Sequence, residues 1–173
     1  MHANAGVGRY EAMESMSEDA IDLVLSVDLK GALLCAKYAI AAMRARGGGS
    51  IIITSSVQAT HSLPGCVVYA AAKAGLVAAA RTLALEVGVD NIRVNTVSPG
   101  TIDTPMLDRD MADMDLDGAA AFVQNVRDAN ALRRIGSVAE VGAAVVFLAS
   151  DAASYVTGTN MVVDGGFTAV KTF

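Results

Sequence analysis

Apolar and polar positions follow two periods along this chain, and the switches between them mark its elements. Residues 17–26 (SEDAIDLVLS) read as a helix, with Ser17 placed to cap it and Glu18 and Asp19 at its positive end. A longer helix, rich in Ala and Leu and basic at its end, is expected from about Asp28 to Arg46. Gly47-Gly48-Gly49 follows; because it precedes a strand and not a helix, it reads as a helix stop, not a phosphate loop. Ser50–Ser55 (SIIITS) is a β-branched run with the look of a strand buried on both faces. A loop through His61 and Pro64 leads to a helix over about Val68–Val87, and Ile92–Val97 reads as a second buried strand ending in Ser98-Pro99-Gly100. Residues 101–136 are irregular and partly helical. Ser137 and Glu140 form a capping box for a helix to about Ala149, and a short strand, Asn160–Val163, turns at Asp164-Gly165-Gly166. Met1–Gly6 is too short to expect an element.

Apolar strands alternating with helices predict an α/β domain with a parallel sheet covered on its faces. No repeat or linker divides the chain, so residues 1–173 are expected to form one domain. Hydrophobic residues make up 53% and charged residues 18%, the composition of a packed protein. Aromatics are only 5%, so the core is expected to be aliphatic.

A net charge of −5 without a basic cluster argues against nucleic acid as a partner. The uncharged stretch from Gly47 to Ala72 is broken by Gly, Ser, Thr, Gln and Pro, which argues against a membrane span. No signal peptide is visible, because His2, Asn4 and Gly6 interrupt any early apolar run, and a cytoplasmic protein is expected. Cys35 and Cys66 have no metal or redox spacing; Cys35 is expected to be a small buried hydrophobe, and no metal site is expected.

The candidate chemistry lies around one helix. Tyr69 and Lys73 are four apart and share a helix face. Alone, that spacing is common on solvated helices. Here Ser56 stands just past one buried strand and Pro99-Gly100 just past the next. In a parallel sheet the ligand sits at the carboxyl ends of the strands, which is where both turns fall.

Asn4-Ala5-Gly6, Ser56, Tyr69-Ala70-Ala71-Ala72-Lys73, Asn95-Thr96-Val97-Ser98-Pro99-Gly100, and Thr157-Gly158 with Val163-Asp164-Gly165-Gly166 together resemble the short-chain dehydrogenase/reductase family, in family order and spacing. The resemblance implies a partial Rossmann-type, doubly wound parallel sheet, the C-terminal catalytic part of that fold. It implies an NAD- or NADP-dependent oxidoreductase interconverting an alcohol and a carbonyl, with a small-molecule substrate. It makes Ser56, Tyr69, Lys73 and Asp28 the catalytic set. Asn4, Ala5, Gly6, Tyr69, Lys73, Pro99, Gly100, Ile102 and Thr104 become the cofactor-binding set.

Physical chemistry supports the central pair. A free phenol titrates near pH 10, and an ammonium one helical turn away is expected to lower that value. Ser56 can hold the substrate oxygen by a hydrogen bond, with Ser55 its rival in register.

Two features depart from the family pattern. Asp28 occupies the position of an asparagine that supports a proton path to the lysine. A carboxylate near Lys73 would partly cancel the ammonium's effect on Tyr69; the equal alternative is that Asp28 marks a break between two helices. The glycine-rich pyrophosphate turn is expected upstream of Asn4, where the chain holds three residues, and Gly6-Val7-Gly8, with no strand before it, does not replace it. A missing βαβαβ half of that kind is on the order of 60–90 residues, and without it Ser50–Ser55 would present an unpaired edge.

The segment Pro105–Arg134 takes the family's substrate-lid position and is acidic, with Asp108, Asp110, Asp113, Asp115 and Asp117; His61, Leu63 and Cys66 are candidates for the pocket lining. The two Ala-rich helices resemble those that pair between subunits, which implies a homodimer or homotetramer. The alternative reading is a truncated, inactive homologue that serves as an oligomerisation or interaction module.

Overall fold

The computed structural model describes residues 1–112 and 114–169. A four-stranded, fully parallel sheet runs in the order β1 (His2–Ala3), β2 (Gly49–Thr54), β3 (Ile92–Pro99) and β4 (Asn160–Val163). The α/β class and parallel sheet expected from the pattern are present. The first residues do form an element: His2 and Ala3 align with Ile52 and Ile53. A strand therefore precedes Gly6, and β2 is paired on both sides along part of its length, so the unpaired edge expected there is partly covered. Two residues gave no period to read.

Alternation along the strands sends side chains to both faces. Ile51, Ile53, Ile92 and Val94 meet α2 (Ala32–Ala45) and α3 (Val67–Val87) through Ala32, Ala36, Leu76, Ala80 and Ala84. Ile52 and Val97 face the other way, onto Leu148 of α6 (Val138–Ala149). Small alanines on α2 and α3 let both helices lie close to the isoleucines. The helical segment Val67–Asp90 is long and apolar enough to cross a membrane by composition alone, but the apolar residues of α3 lie in this core.

Ser17 caps α1 (Glu18–Val24), accepting from the Ala20 amide at 3.2 Å. The helix does not break before Asp28, as the sequence reading allowed. It continues as a π-helical segment, Leu25–Gly31, directly into α2. Its wider turn places Asp28 and Leu29 toward α3, where Gly75 makes room: a Cβ there would lie 3.2 Å from the Leu29 side chain. The glycine triplet does stop α2, with Gly47 at φ 78° and the Gly48 amide donating to the Met43 carbonyl.

The acidic lid contains α4 (Pro105–Met111) and α5 (Leu116–Ala129), capped by Thr104 and Asp115; Asp113 lies outside the described residues. At α6 the Ser137 amide donates to the Glu140 carboxylate at 2.8 Å, and Arg134 also binds that carboxylate.

Candidate active site

β2 ends at Thr54, and the next two residues divide the labour between them. The Ser55 hydroxyl is buried and donates to the Lys73 backbone carbonyl at 2.9 Å, tying α3 to the strand end. The Ser56 hydroxyl accepts from the Gln58 amide at 3.2 Å and lies close enough to the Tyr69 phenol to pull its pKa down. The two neighbouring hydroxyls differ in what they touch: Ser55 is occupied by backbone, and Ser56 faces the phenol.

One turn along α3, Lys73 is buried with only 3% of its side chain exposed, and Asp28 is wholly buried against it. Lys73 Nζ lies 3.1 Å from Asp28 Oδ2, 3.3 Å from the Thr54 carbonyl oxygen it donates to, and 5.4 Å from the centre of the Tyr69 ring. Asp28 Oδ1 accepts from the Val7 amide at 2.7 Å, whereas Oδ2 has the ionic contact but no well-directed hydrogen bond. Asp28 thus forms a direct, buried ion pair with Lys73.

The Tyr69 phenol is pushed up to about 12. Burial is the main cause; Ser56 opposes it, and the charges of Asp28 and Asp110 add to it. The net shift is therefore upward, against the expected lowering, because burial of the phenol dominates. The lysine's charge is balanced by Asp28, and the desolvated phenol keeps its proton.

The Asn4–Gly6 turn leaves β1 beside this pair. A Cβ on Gly6 would stand 3.3 Å from Lys73 Nζ and 3.4 Å from Asp28 Oδ2, so the bare Cα is what allows the turn to approach. Asn4 is exposed and accepts from the Thr54 hydroxyl at 2.9 Å, and Ala5 is exposed beside it. Asp28, Ser56, Tyr69, Lys73 and Gly6 therefore form one cluster at the carboxyl end of β2.

Pro99, the last residue of β3, and Gly100, Ile102 and Thr104 just beyond it form a second group. Gly100 packs on the Asp164 backbone, where a Cβ would come within 2.9 Å of its Cα. Ile102 bridges to Gly136, and Thr104 caps α4. A cleft of about 250 Å³ runs along Thr101, Ile102, Val163 and Asp164; Ser56, Tyr69 and Lys73 are not among its lining residues. The polar residues of 95–98 are structural ties, since buried Asn95 donates to the Val156 carbonyl and accepts from the Thr159 amide.

Two residues beside Tyr69 carried no motif signal. Tyr10 sets its ring edge-on to Tyr69, with centroids 5.7 Å apart and planes at 74°. Asp110 of α4 lies close enough to influence both phenols. Cys66 is buried, and burial raises its thiol pKa; Cys35, expected to be buried, is exposed because it faces outward from α2. His61 and Leu63 are exposed. Among the described residues no cluster of His, Cys, Asp and Glu is arranged to hold a metal ion.

Residues 1–168 match the family model described as enoyl-(acyl carrier protein) reductase. Levodione reductase of Leifsonia aquatica is 36% identical over 94% of this chain and 61% of its own length. Cis-4-hydroxycyclohexanecarboxylate dehydrogenase of Sinomonas cyclohexanicum is 39% identical over 97% of this chain and 65% of its own. The chain thus spans less than two thirds of these relatives. The structure of a gluconate 5-dehydrogenase from Burkholderia cenocepacia J2315, in complex with NADP and tartrate, superposes with a TM-score of 0.91 at 30% identity, covering 98% of this chain and 64% of that one.

Proposed function

Because this chain belongs to the short-chain dehydrogenase/reductase family, we propose that it carries the proton-handling centre of an NAD- or NADP-dependent oxidoreductase that interconverts an alcohol and a ketone or aldehyde. The observation that carries this reading is the single cluster of Ser56, Tyr69 and Lys73 at the carboxyl end of the sheet. A NADP complex of a similar protein supports the cofactor class.

The residues present fit a nicotinamide ribose. Gly6 leaves Lys73 approachable, and the exposed Asn4–Ala5 backbone borders it. Those residues, with Tyr69 and Lys73, would hold the ribose, and the turn at Pro99, Gly100, Ile102 and Thr104 would meet the nicotinamide amide. When bound, the nicotinamide supplies or accepts the hydride.

Everything else is done by the chain. The Ser56 hydroxyl holds the substrate oxygen. Tyr69, protonated at neutral pH, donates its proton to the carbonyl oxygen in reduction. In oxidation the same oxygen must first lose its proton, so oxidation rises with pH and reduction is the easier direction near neutrality. Asp28 acts as a positioning residue that fixes the Lys73 ammonium and lessens its pull on the phenol.

The outward residues of the two Ala-rich helices, including Tyr38 and Leu85, support a homodimer or homotetramer. The proposed protein is cytoplasmic and acts on a small molecule, without nucleic acid or membrane as partner. Tyr69→Phe tests the central role. It should lower turnover by roughly 10²–10⁴-fold and weaken NADH or NADPH binding, followed by nucleotide fluorescence, far less, because Lys73 and the Asn4–Ala5 backbone would still hold the ribose. Retained turnover would refute the assignment.

A further inference from the structure

Tyr10 belongs to none of the motifs, yet the fold sets its ring edge-on against Tyr69, with centroids 5.7 Å apart and planes at 74°. The two phenols differ in access: Tyr69 is 8% exposed and Tyr10 is 42% exposed. Tyr69 shares a buried apolar cluster with Met16, Val24, Val68 and Ala72, and Lys73 Nζ lies 5.4 Å from its ring centre. Tyr10 stands outside that cluster, against Tyr69 on one side and open to solvent on the other. Its position is built in. Gly8 leaves room for the folded-back ring, since a Cβ there would stand 2.6 Å from the Tyr10 hydroxyl and 2.7 Å from the ring carbon that bears it. The Glu11 amide donates to the Gly65 carbonyl at 3.1 Å, tying the loop that carries Tyr10 to the loop that opens α3.

We propose that Tyr10 is a positioning residue for the proton transfer, its ring serving as a cover that keeps water from the Tyr69 phenol. A phenolate is favoured by hydration, and a ring laid against the phenol displaces that water. The covered phenol therefore holds its proton, in keeping with an upward shift whose main cause is burial. The titratable groups that bear on it are Asp28 from the π-helical segment, Asp110 from α4, Cys66 before α3 and Lys73 on its own helix, while Ser56 opposes the shift. All of these stay in place when the ring is removed. Uncovering the phenol lets it ionise at lower pH, so oxidation of an alcohol, which requires that proton to leave, begins at lower pH as well. This last consequence rests on the oxidoreductase reading, whereas the cover itself does not.

The cover is read by NMR on the whole chain carrying carbon-13 at tyrosine Cζ, without substrate or cofactor, and the Tyr69 resonance is identified by its loss in Tyr69→Phe. At about pH 10.5 the unmodified protein should keep Tyr69 at its protonated shift. Tyr10→Phe should do so too, because it retains the ring. Tyr10→Ala should lower the Tyr69 midpoint by about one pH unit, which moves the resonance roughly a quarter of the way to the phenolate position at that pH. Gly8→Ala should act in the same direction by displacing a ring that is still present. Tyr10→Phe also removes the Tyr10 hydroxyl, so any effect of that hydroxyl through Asp110 appears in the control. A shift in Tyr10→Ala or Gly8→Ala, with Tyr10→Phe unmoved, supports the cover. The proposal is overturned if Tyr69 stays protonated in both, if it moves as far in Tyr10→Phe as in Tyr10→Ala, or if it is already ionised in the unmodified protein. Circular dichroism at the same pH shows which variants are folded, and where Tyr10→Ala is not, Gly8→Ala decides. The oxidoreductase reading fails on a different result, turnover retained by Tyr69→Phe, so the two failures are told apart.

Discussion

Removing either member of the buried Lys73–Asp28 pair should destabilise the protein far more than removing both. The two groups lie 3.1 Å apart with 3% and 0% exposure. At an effective dielectric of about 20, unit charges at that separation attract by about 5 kcal/mol. Desolvation costs several kcal/mol per ion, so the pair as a whole contributes little net stability. Deleting one partner leaves the other charge buried and uncompensated, at a cost of about 3–5 kcal/mol.

Asp28→Ala also removes the acceptor for the Val7 amide, whereas Asp28→Asn keeps an oxygen for it and should be milder. Lys73→Met should lose a similar 3–5 kcal/mol. The double variant Asp28→Leu/Lys73→Met should recover most of the loss on the Lys73 side. At about 2–4 °C per kcal/mol for a domain of this size, each single variant should lower Tm by roughly 6–20 °C. Urea unfolding followed by circular dichroism gives the four corners of the cycle. The Val7 contact does not involve Lys73, so it cancels in the coupling energy. A coupling below about 1 kcal/mol would show that the pair is hydrated in solution and that this reasoning is wrong.

Other expectations concern the same centre and its supports. Because the Tyr69 pKa is raised in the fold to about 12 from an unfolded value near 10, its contribution is fully present below pH 10 and is lost as pH rises through 12. About 3 kcal/mol of stability should disappear across that window, and Tyr69→Phe should flatten this part of a pH–stability curve measured in urea. Gly6→Ala would crowd Lys73 Nζ at 3.3 Å and should cut turnover more strongly than it lowers Tm; an unchanged kcat would show that the lysine can give way. Gly100→Ala would drive a Cβ to 2.9 Å from the Asp164 backbone, and a Tm loss of several degrees, seen by calorimetry, is expected. Ser137→Ala should cost about 1 kcal/mol at the start of α6, measured as a shift in the urea midpoint with unchanged slope.

The elements that sequence made legible are those with a strong period or a chemical stop. The isoleucine run, the alanine-rich helices and the glycine triplet each declare themselves within a few residues. β1 did not, because two residues cannot show a period and their pairing comes from Ile52 and Ile53 far along the chain. The π-helical segment was equally invisible: a wide turn has no distinct composition, and it exists because Asp28 and Leu29 are both drawn toward α3. At the site, the spacing of Ser56, Tyr69 and Lys73 could be read directly. The sign of the Tyr69 shift could not, since it depends on how deeply the phenol is buried and on a carboxylate contributed by a different helix. Tyr10 and Asp110 were beyond reach for the same reason, as only the folded loops bring them together.

The continuous passage from α1 to α2 also fixes which changes of length this region can accept. Each residue advances a helix by about 100° around its axis. Losing one residue between Val24 and Ala32 would relax the wide turn into an ordinary one and rotate everything on one side of it relative to the other. Either Asp28 would swing away from Lys73, or Ala32 and Ala36 would leave the sheet and larger neighbours would take their place. Single insertions and deletions there should be purged, while substitutions on the outward face of the same helix pass freely.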